Sequence, residues 1–144
     1  MNKNDRFTTS SWNSKKKSSS DKVPVLNNDV LIQQICTSII SDHHDNLLSD
    51  LENGKRLIEY HVRDGQLQKR KHIEVSDLLD TDETFYAAMS REHLKCFIML
   101  IETKLKRKSA LDYGAIQIGF EITPSGIFQV RELNITRENH FARY

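Results

Sequence analysis

A strict alternation of apolar and polar residues near the end of the chain restricts the fold most. Over residues 116–122, every second residue is apolar: Ile116, Ile118, Phe120 and Ile122. A two-residue period gives a strand one apolar face, and the following Thr-Pro-Ser-Gly at 123–126 favours a type I turn with a glycine bulge. We therefore predict a hairpin in which Ile122 faces Phe128 and Phe120 faces Val130.

An earlier hairpin is predicted around Asp64 and Gly65, because an Asp-Gly pair readily adopts the positive φ angles of a type I′ turn. With these two as the loop residues, Arg63 faces Gln66. On one side of the hairpin we expect three facing pairs: Val62 with Leu67, Tyr60 with Lys69, and Ile58 with Lys71. On the other side we expect Glu59 to oppose Arg70 and His61 to oppose Gln68.

Two helices are predicted from apolar residues at helical spacing. The first covers residues 29–41, with Asn27 or Asn28 as its N-cap. The second covers residues 80–108 and opens with Asp80 and Glu83 in a capping-box arrangement. Leucines at 47, 48 and 51 indicate either a continuation of the first helix or a short extra helix that Asn53-Gly54 would close.

The element order is therefore helix, hairpin, helix, hairpin, which predicts an α+β two-layer domain with the helices packed on one face of an antiparallel sheet. Residues 1–24 hold six Lys or Arg and two Asp or Glu, and Phe7 and Trp12 are their only large aromatic residues. Such a segment cannot offset the entropy of ordering. We predict a disordered basic tail at 1–24 and a single α+β domain at 25–144.

Composition places the chain among globular proteins, with 38% hydrophobic and 28% charged residues. Its longest apolar runs fall well short of the roughly 20 residues of a membrane span, and its N-terminus lacks the apolar core of a secretory signal. These features predict a cytoplasmic protein without a membrane partner. Cys36 and Cys96 each lie in an apolar helical pattern and are expected to be buried, reduced thiols.

Common catalytic signatures are absent: the chain has no P-loop, GxGxxG, HExxH or GxSxG motif. His43 and His44 lie next to Asp42 and Asp45, but adjacent histidines on a helix point about 100° apart, so we expect an exposed helix end without a metal. Pairing Cys96 with His93 as a nucleophile is disfavoured, because burial opposes the thiolate. We predict no enzyme activity, no cofactor and no metal.

Charged clusters supply the candidate binding residues. Residues 25–144 hold 15 basic and 18 acidic residues, so the body is mildly acidic. The acidic candidates for contact with a basic partner are Asp77, Asp80, Asp82 and Glu83. The basic candidates for phosphate are Lys69, Arg70 and Lys71, in a stretch that also suits the lysine-rich edge of a sheet. A second basic run, at 104–108, is interpreted as complementing the negative end of the helix dipole.

The element order, together with the last hairpin GAIQIGFEITPSGIFQVREL, resembles the YezG-like antitoxins, immunity proteins that neutralise secreted toxins. The resemblance covers roughly residues 29–133. This chain has Tyr113-Gly114 where such proteins tend to carry a tryptophan, and it adds a basic tail. The resemblance implies direct binding of a partner protein.

Three function classes follow from these patterns. The favoured one is a protein-binding domain of the immunity or antitoxin kind, in which complementary charge speeds capture of a toxin. The alternatives are a nucleic-acid-associated accessory protein that uses the basic tail and residues 69–72, and a small enzyme with a site around His43, His44 and His61. Salt separates the first two, because phosphate binding weakens steeply as salt is added.

Overall fold

A computed structural model of the chain describes residues 26–76 and 84–139. The predicted tail, residues 1–24, lies outside the described residues, as do the acidic candidates Asp77, Asp80, Asp82 and Glu83. The described part contains two helices and six strands, in the order α1 (Asp29–His44), β1 (Leu51–Glu52), β2 (Lys55–Arg63), β3 (Gln66–Ile73), β4 (Tyr86–Ala87), α2 (Arg91–Lys106), β5 (Tyr113–Ile122) and β6 (Phe128–Arg137).

Four of the strands form one antiparallel sheet in the order β3-β2-β5-β6, and β1 pairs with β4 in a separate two-stranded sheet. Both helices pack on the same face of the large sheet, with α1 against β3 and α2 against β6, and they also contact each other. The predicted α+β class and its helix-hairpin-helix-hairpin order are confirmed. Neither helix combines the length and apolar character that crossing a bilayer requires.

The second hairpin has the predicted register, with Ile122 opposite Phe128 and Phe120 opposite Val130. At the turn, the N–H of Gly126 donates to the carbonyl of Thr123 at 2.8 Å, and Gly126 has a φ of 90°. This left-handed conformation explains the glycine, since a side chain would strain it. The register shifts between Gly119, which faces Glu132, and Phe120, which faces Val130. Arg131 is therefore the extra residue of a β-bulge in β6.

The first hairpin corrects our predicted register. Arg63 faces Gln66 and Val62 faces Leu67 as expected, but the register then shifts between His61 and Val62. Gln68 is the extra residue of this β-bulge, so the next facing pairs are His61 with Lys69, Tyr60 with Arg70, Glu59 with Lys71 and Ile58 with His72. The bulge turns Arg70 and His72 towards the helices, because side chains alternate between faces along a strand.

The first helix ends at His44, three residues later than predicted. Its N-cap residue, Asn28, bonds to the end of the other helix. The Asn28 side chain makes no cap bond within α1. Its Nδ2 lies 3.1 Å from the carbonyls of Leu105, Lys108 and Ser109, and its Oδ1 accepts from the N–H of Leu111 at 2.9 Å. Asn28 therefore joins the start of α1 to the end of α2.

The second helix begins at Arg91, not at Asp80 as predicted. Ser90 is its N-cap, and its side chain and that of His93 form a reciprocal capping box. The preceding segment is extended, since Tyr86–Ala87 pairs with β1 and the carbonyl of Phe85 accepts from the N–H of Asn53 at 2.7 Å. The predicted helix over residues 80–108 included Phe85 and Tyr86, although aromatic side chains also favour strands.

No helix forms over residues 47–54, where a continuation or a short extra helix was expected. Leu51–Glu52 is β1, and Asn53 and Gly54 form the turn into β2 with φ angles of 53° and 70°. A Cβ on Gly54 would lie 1.9 Å from the carbonyl oxygen of Ile122. Glycine is required at this position because the backbone of the turn lies too close to the backbone of β5 to leave room for a side chain.

The core lies between the two helices and the inward face of β2 and β5. Phe97 of α2 packs against Phe120 and Phe128, with ring centroids 5.1 and 5.3 Å apart. Leu31, Ile35 and Ile39 of α1 are buried on the same side. In both helices the buried residues recur at the helical spacing from which the helices were predicted, and Phe120 belongs to the predicted apolar face of β5.

We expect Asn28→Ala to lower the free energy of unfolding by about 2 to 3 kcal/mol, because the substitution leaves buried carbonyls and an N–H without partners. Asn27→Ala is the matched control: Asn27 is exposed and accepts one local bond, from the N–H of Asp29. Chemical denaturation of both variants measures the difference. Equal effects would show that the link between the two helices contributes little.

Candidate protein-binding surface

A buried polar network joins α1 to β3. Asp42 is 1% exposed, and its carboxylate accepts from Nε of Arg70 at 2.8 Å and from Nη2 of Arg70 at 2.5 Å. His72 Nε2 lies 2.9 Å from Asp42 Oδ2, while His72 Nδ1 lies 2.7 Å from Arg56 Nη1. An arginine can only donate, so Nδ1 accepts and Nε2 carries the proton that is donated to Asp42.

Charges in this network perturb its neighbours. The hydrogen bond to Asp42 raises the pKa of Arg70. Burial, followed by the charge of Asp42, raises the pKa of Tyr60, whose hydroxyl has no hydrogen-bond partner among the described residues. Both groups therefore keep their ordinary protonation states at neutral pH, and the network is a structural tie between helix and sheet.

Arg70, Lys69 and Lys71 do not form one surface. Arg70 is engaged by Asp42 on the helix side, whereas Lys69 and Lys71 lie on the opposite, open face of the sheet. Lys71 Nζ lies 3.7 Å from Oε2 of Glu59, whose pKa is lowered chiefly by a hydrogen bond from Gln117. The bulge at Gln68 thus separates the predicted basic site into a core ion pair and two exposed lysines.

The two cysteines differ in burial, and the structure does not favour Cys96 with His93 as a nucleophile pair. Burial, reinforced by Glu102, raises the pKa of Cys36 to about 11, which keeps it a neutral thiol. Cys96 is exposed, contrary to our expectation of burial, because the buried side of α2 is formed by Phe97, Ile101 and Leu105. Its predicted partner is also engaged in other bonds: His93 Nδ1 accepts from the N–H of Ser90, and His93 Nε2 lies 2.7 Å from the carbonyl of Gly126.

The remaining histidines in the part of the chain that the structure describes lie beside a polar group or are exposed. His43 Nε2 lies 3.0 Å from the carbonyl of Met89, and His44 is exposed beside Asp45. His61 Nε2 lies 2.5 Å from Oε2 of Glu59 on the open face of the sheet. Within residues 26–76 and 84–139, no three His, Cys, Asp or Glu side chains are grouped so that they could hold a metal ion.

The surface best suited to binding is the free edge of the sheet at β6. Within the described residues, β6 pairs only with β5. The N–H of Glu138 donates to the carbonyl of Tyr113 at 2.9 Å, which fixes the alternation of hydrogen-bonded pairs along this ladder. The N–H groups of Leu133, Ile135 and Arg137 therefore point to the free edge.

An apolar groove follows this edge, between β6 and α2. Its cavity measures about 260 Å³ and is lined mainly by Leu100, Ile101, Ile118, Val130 and Leu133. Leu100, Val130 and Leu133 are only half-buried, and Val130 and Leu133 pack against the core. We call this groove, together with the outward-facing backbone of β6, the β6 edge. Sequence reasoning missed it, because only the strand order makes β6 an edge.

The opposite edge, β3, is less accessible. Gln34 of α1 accepts from the N–H of Leu67 at 2.7 Å, which closes the first part of that edge. The exposed Lys69 and Lys71 follow, and lysines along an edge strand discourage pairing with another chain. Of the two edges of the described sheet, β6 is therefore the better template for a partner strand.

We expect Asp42→Ala to destabilise the fold by about 3 to 5 kcal/mol, because it leaves the guanidinium of Arg70 without its counter-charge. Asp45→Ala, three residues later and 61% exposed at its side chain, should cost less than about 0.5 kcal/mol. Thermal and denaturant unfolding of both variants test this prediction. A similar stability for the two would mean that the buried pair does not hold α1 on the sheet.

A thiol-specific reagent should modify one cysteine in the native protein and both after denaturation. Cys96 is the exposed thiol, whereas Cys36 is 8% exposed with a raised pKa. Cys96→Ser should abolish the native reaction, and Cys36→Ser should leave it unchanged. Rapid native labelling of Cys36 would contradict the packing of α1 on the core.

Comparison with known proteins adds no relative: no protein-family model, curated protein sequence or solved structure gives a significant match to this chain.

Proposed function

We propose that this chain is a small protein-binding domain that captures its partner by accepting an extended segment along the β6 edge. The observation that supports this proposal is that, among the strands the structure describes, β6 pairs only with β5 and lies beside a half-exposed apolar groove. In strand addition, main-chain hydrogen bonds supply affinity, and pockets for alternate side chains supply specificity. The β6 edge offers both elements, and the proposed activity is binding without catalysis.

The partner class that we favour is a toxin, which the chain would neutralise by direct binding as an immunity protein does. Two observations support this choice. The helix-hairpin-helix-hairpin order is the layout on which the resemblance to YezG-like antitoxins rests. Residues 25–144 are mildly acidic, which favours capture of a basic partner. Asp77, Asp80, Asp82 and Glu83 remain the predicted contacts for such a partner.

Substitution of Leu100 and Leu133 by serine tests this function. These side chains line the groove and are half-buried, so Leu100→Ser/Leu133→Ser should weaken partner binding at least about tenfold through lost apolar contact at the centre of the interface. Ile127→Ser is the matched control, since Ile127 is exposed near the hairpin turn and does not line the groove. Folding of all variants is checked by thermal melting.

The measurement is affinity capture of the tagged protein from its native lysate, with nuclease treatment and high salt, followed by mass spectrometry and titration of the purified partner. We expect the wild-type chain to capture one protein in stoichiometric amount, both after nuclease treatment and in high salt. The groove variant should not capture this protein, and the control variant should. Growth of cells that produce this partner should be restored by the wild-type chain. A partner that binds both variants equally would overturn the proposal.

A further inference from the structure

The apolar groove of the β6 edge has a positively charged residue, Lys104, on its α2 side. This lysine is exposed, and no carboxylate within residues 26–76 and 84–139 forms an ion pair with it. Its neighbours three and four positions away on the helix include no acidic residue: Leu100, Ile101, Arg107 and Lys108. The charge of Lys104 is therefore available to a segment that enters the groove.

Two other charged residues line the groove, but their charged groups are bonded on the open face of the sheet. Arg131 Nη1 donates to Oε1 of Glu121 at 2.6 Å, and Glu132 Oε1 accepts from Nδ2 of Asn134 at 2.7 Å. Glu121 lies on the open face because it alternates along β5 with the buried Phe120. Lys104 therefore sets the charge on the helix side of the groove.

The helix α2 and the strand β6 run in the same direction along the groove. At their starts, His93 Nε2 lies 2.7 Å from the carbonyl of Gly126, which shortly precedes β6. At their ends, Arg137 Nη2 of β6 donates to the carbonyl of Ser109, just after α2, at 3.0 Å. Positions along α2 therefore map in order onto positions along β6.

This alignment fixes the spacing of the side chains that a segment would present to α2. Leu100 precedes Lys104 by four residues, which is about 6 Å along a helix. Two residues of a strand cover about 6.6 Å, and their side chains point to the same face. In a strand added to β6, the side chain that contacts Leu100 and the side chain that contacts Lys104 are therefore two positions apart.

We propose that the β6 edge selects a segment with the pattern acid-x-apolar, in which the carboxylate pairs with Lys104 and the apolar side chain packs on Leu100. This inference rests on the proposed function and names the chemistry of its partner strand. The acid comes first because the added strand is antiparallel to β6. Antiparallel pairing is the more stable kind per residue, and every strand pair of the described large sheet uses it.

Charge acts at two ranges in this arrangement. The mildly acidic residues 25–144 speed the approach of a basic partner, whereas a carboxylate opposite Lys104 fixes the register of the added strand. A shift by one residue would turn the carboxylate and the apolar side chain to the open face of the sheet, away from the groove. A basic toxin with one acid-x-apolar segment satisfies both requirements.

The test selects random linear peptides, displayed on phage, against the full-length chain. Selection is repeated with Lys104→Glu and with the matched control Lys106→Glu. Lys106 is exposed, does not line the groove and points about 200° away from Lys104 around the helix. Fluorescence anisotropy then measures the affinity of a selected peptide and of the same peptide with its acid replaced by lysine, and thermal melting confirms that the variants fold.

We expect the wild-type chain to enrich acid-x-apolar peptides and Lys104→Glu to enrich lysine or arginine at the acid position. Lys104→Glu should weaken the selected peptide at least about fivefold, the lysine peptide should recover this loss, and Lys106→Glu should change affinity less than about twofold.

Two results separate this inference from the proposed function. Peptides that need Leu100 and Leu133 but show no preference for an acid, or that carry the reverse order apolar-x-acid, would overturn the inference and leave the β6 edge as the binding surface. Peptides that bind equally well to Leu100→Ser/Leu133→Ser, or the absence of any selected peptide, would overturn both.

Discussion

The buried carboxylate of Asp42 is the constraint on which much of this structure depends. A carboxylate inside a protein is tolerated when charged and hydrogen-bonded groups surround it, and Arg70 and His72 provide them from β3. These side chains reach Asp42 because the bulge at Gln68 turns them towards the helix side of the sheet. The placement of α1, the register of β3 and the charges left on the open face are thus coupled.

A second tie, at the other end of α1, fixes the two helices to one another. Asn28 contacts carbonyls at the end of α2, so α1 and α2 are tied directly to one another as well as to the sheet. Its amide nitrogen lies within hydrogen-bond distance of three carbonyls at the end of α2 and just beyond it. A single buried side chain therefore stabilises the helix pair.

The two edges of the large sheet differ in chemistry. Within residues 26–76 and 84–139, β6 pairs only with β5, and a half-exposed apolar groove lies beside it, which suits an extended peptide of another protein. At β3, by contrast, Gln34 of α1 accepts from the N–H of Leu67, and two exposed lysines follow along the strand. The strand order therefore leaves one edge of the sheet better suited to a partner strand than the other.

The sequence by itself determined the α+β class, the element order, both turns and the apolar faces of β2, β5 and the helices, because these depend on local periodicity and turn chemistry. It did not determine the bulge at Gln68, the extended segment before Arg91 or the exposure of Cys96. Nor did it identify the β6 edge or the buried role of Asp42. Those features arise from strand order and from partners tens of residues away, such as Asp42 and Arg70. Only tertiary packing decided them, since the cost of burying a charge or leaving an edge unpaired is set by groups that the local sequence does not contain.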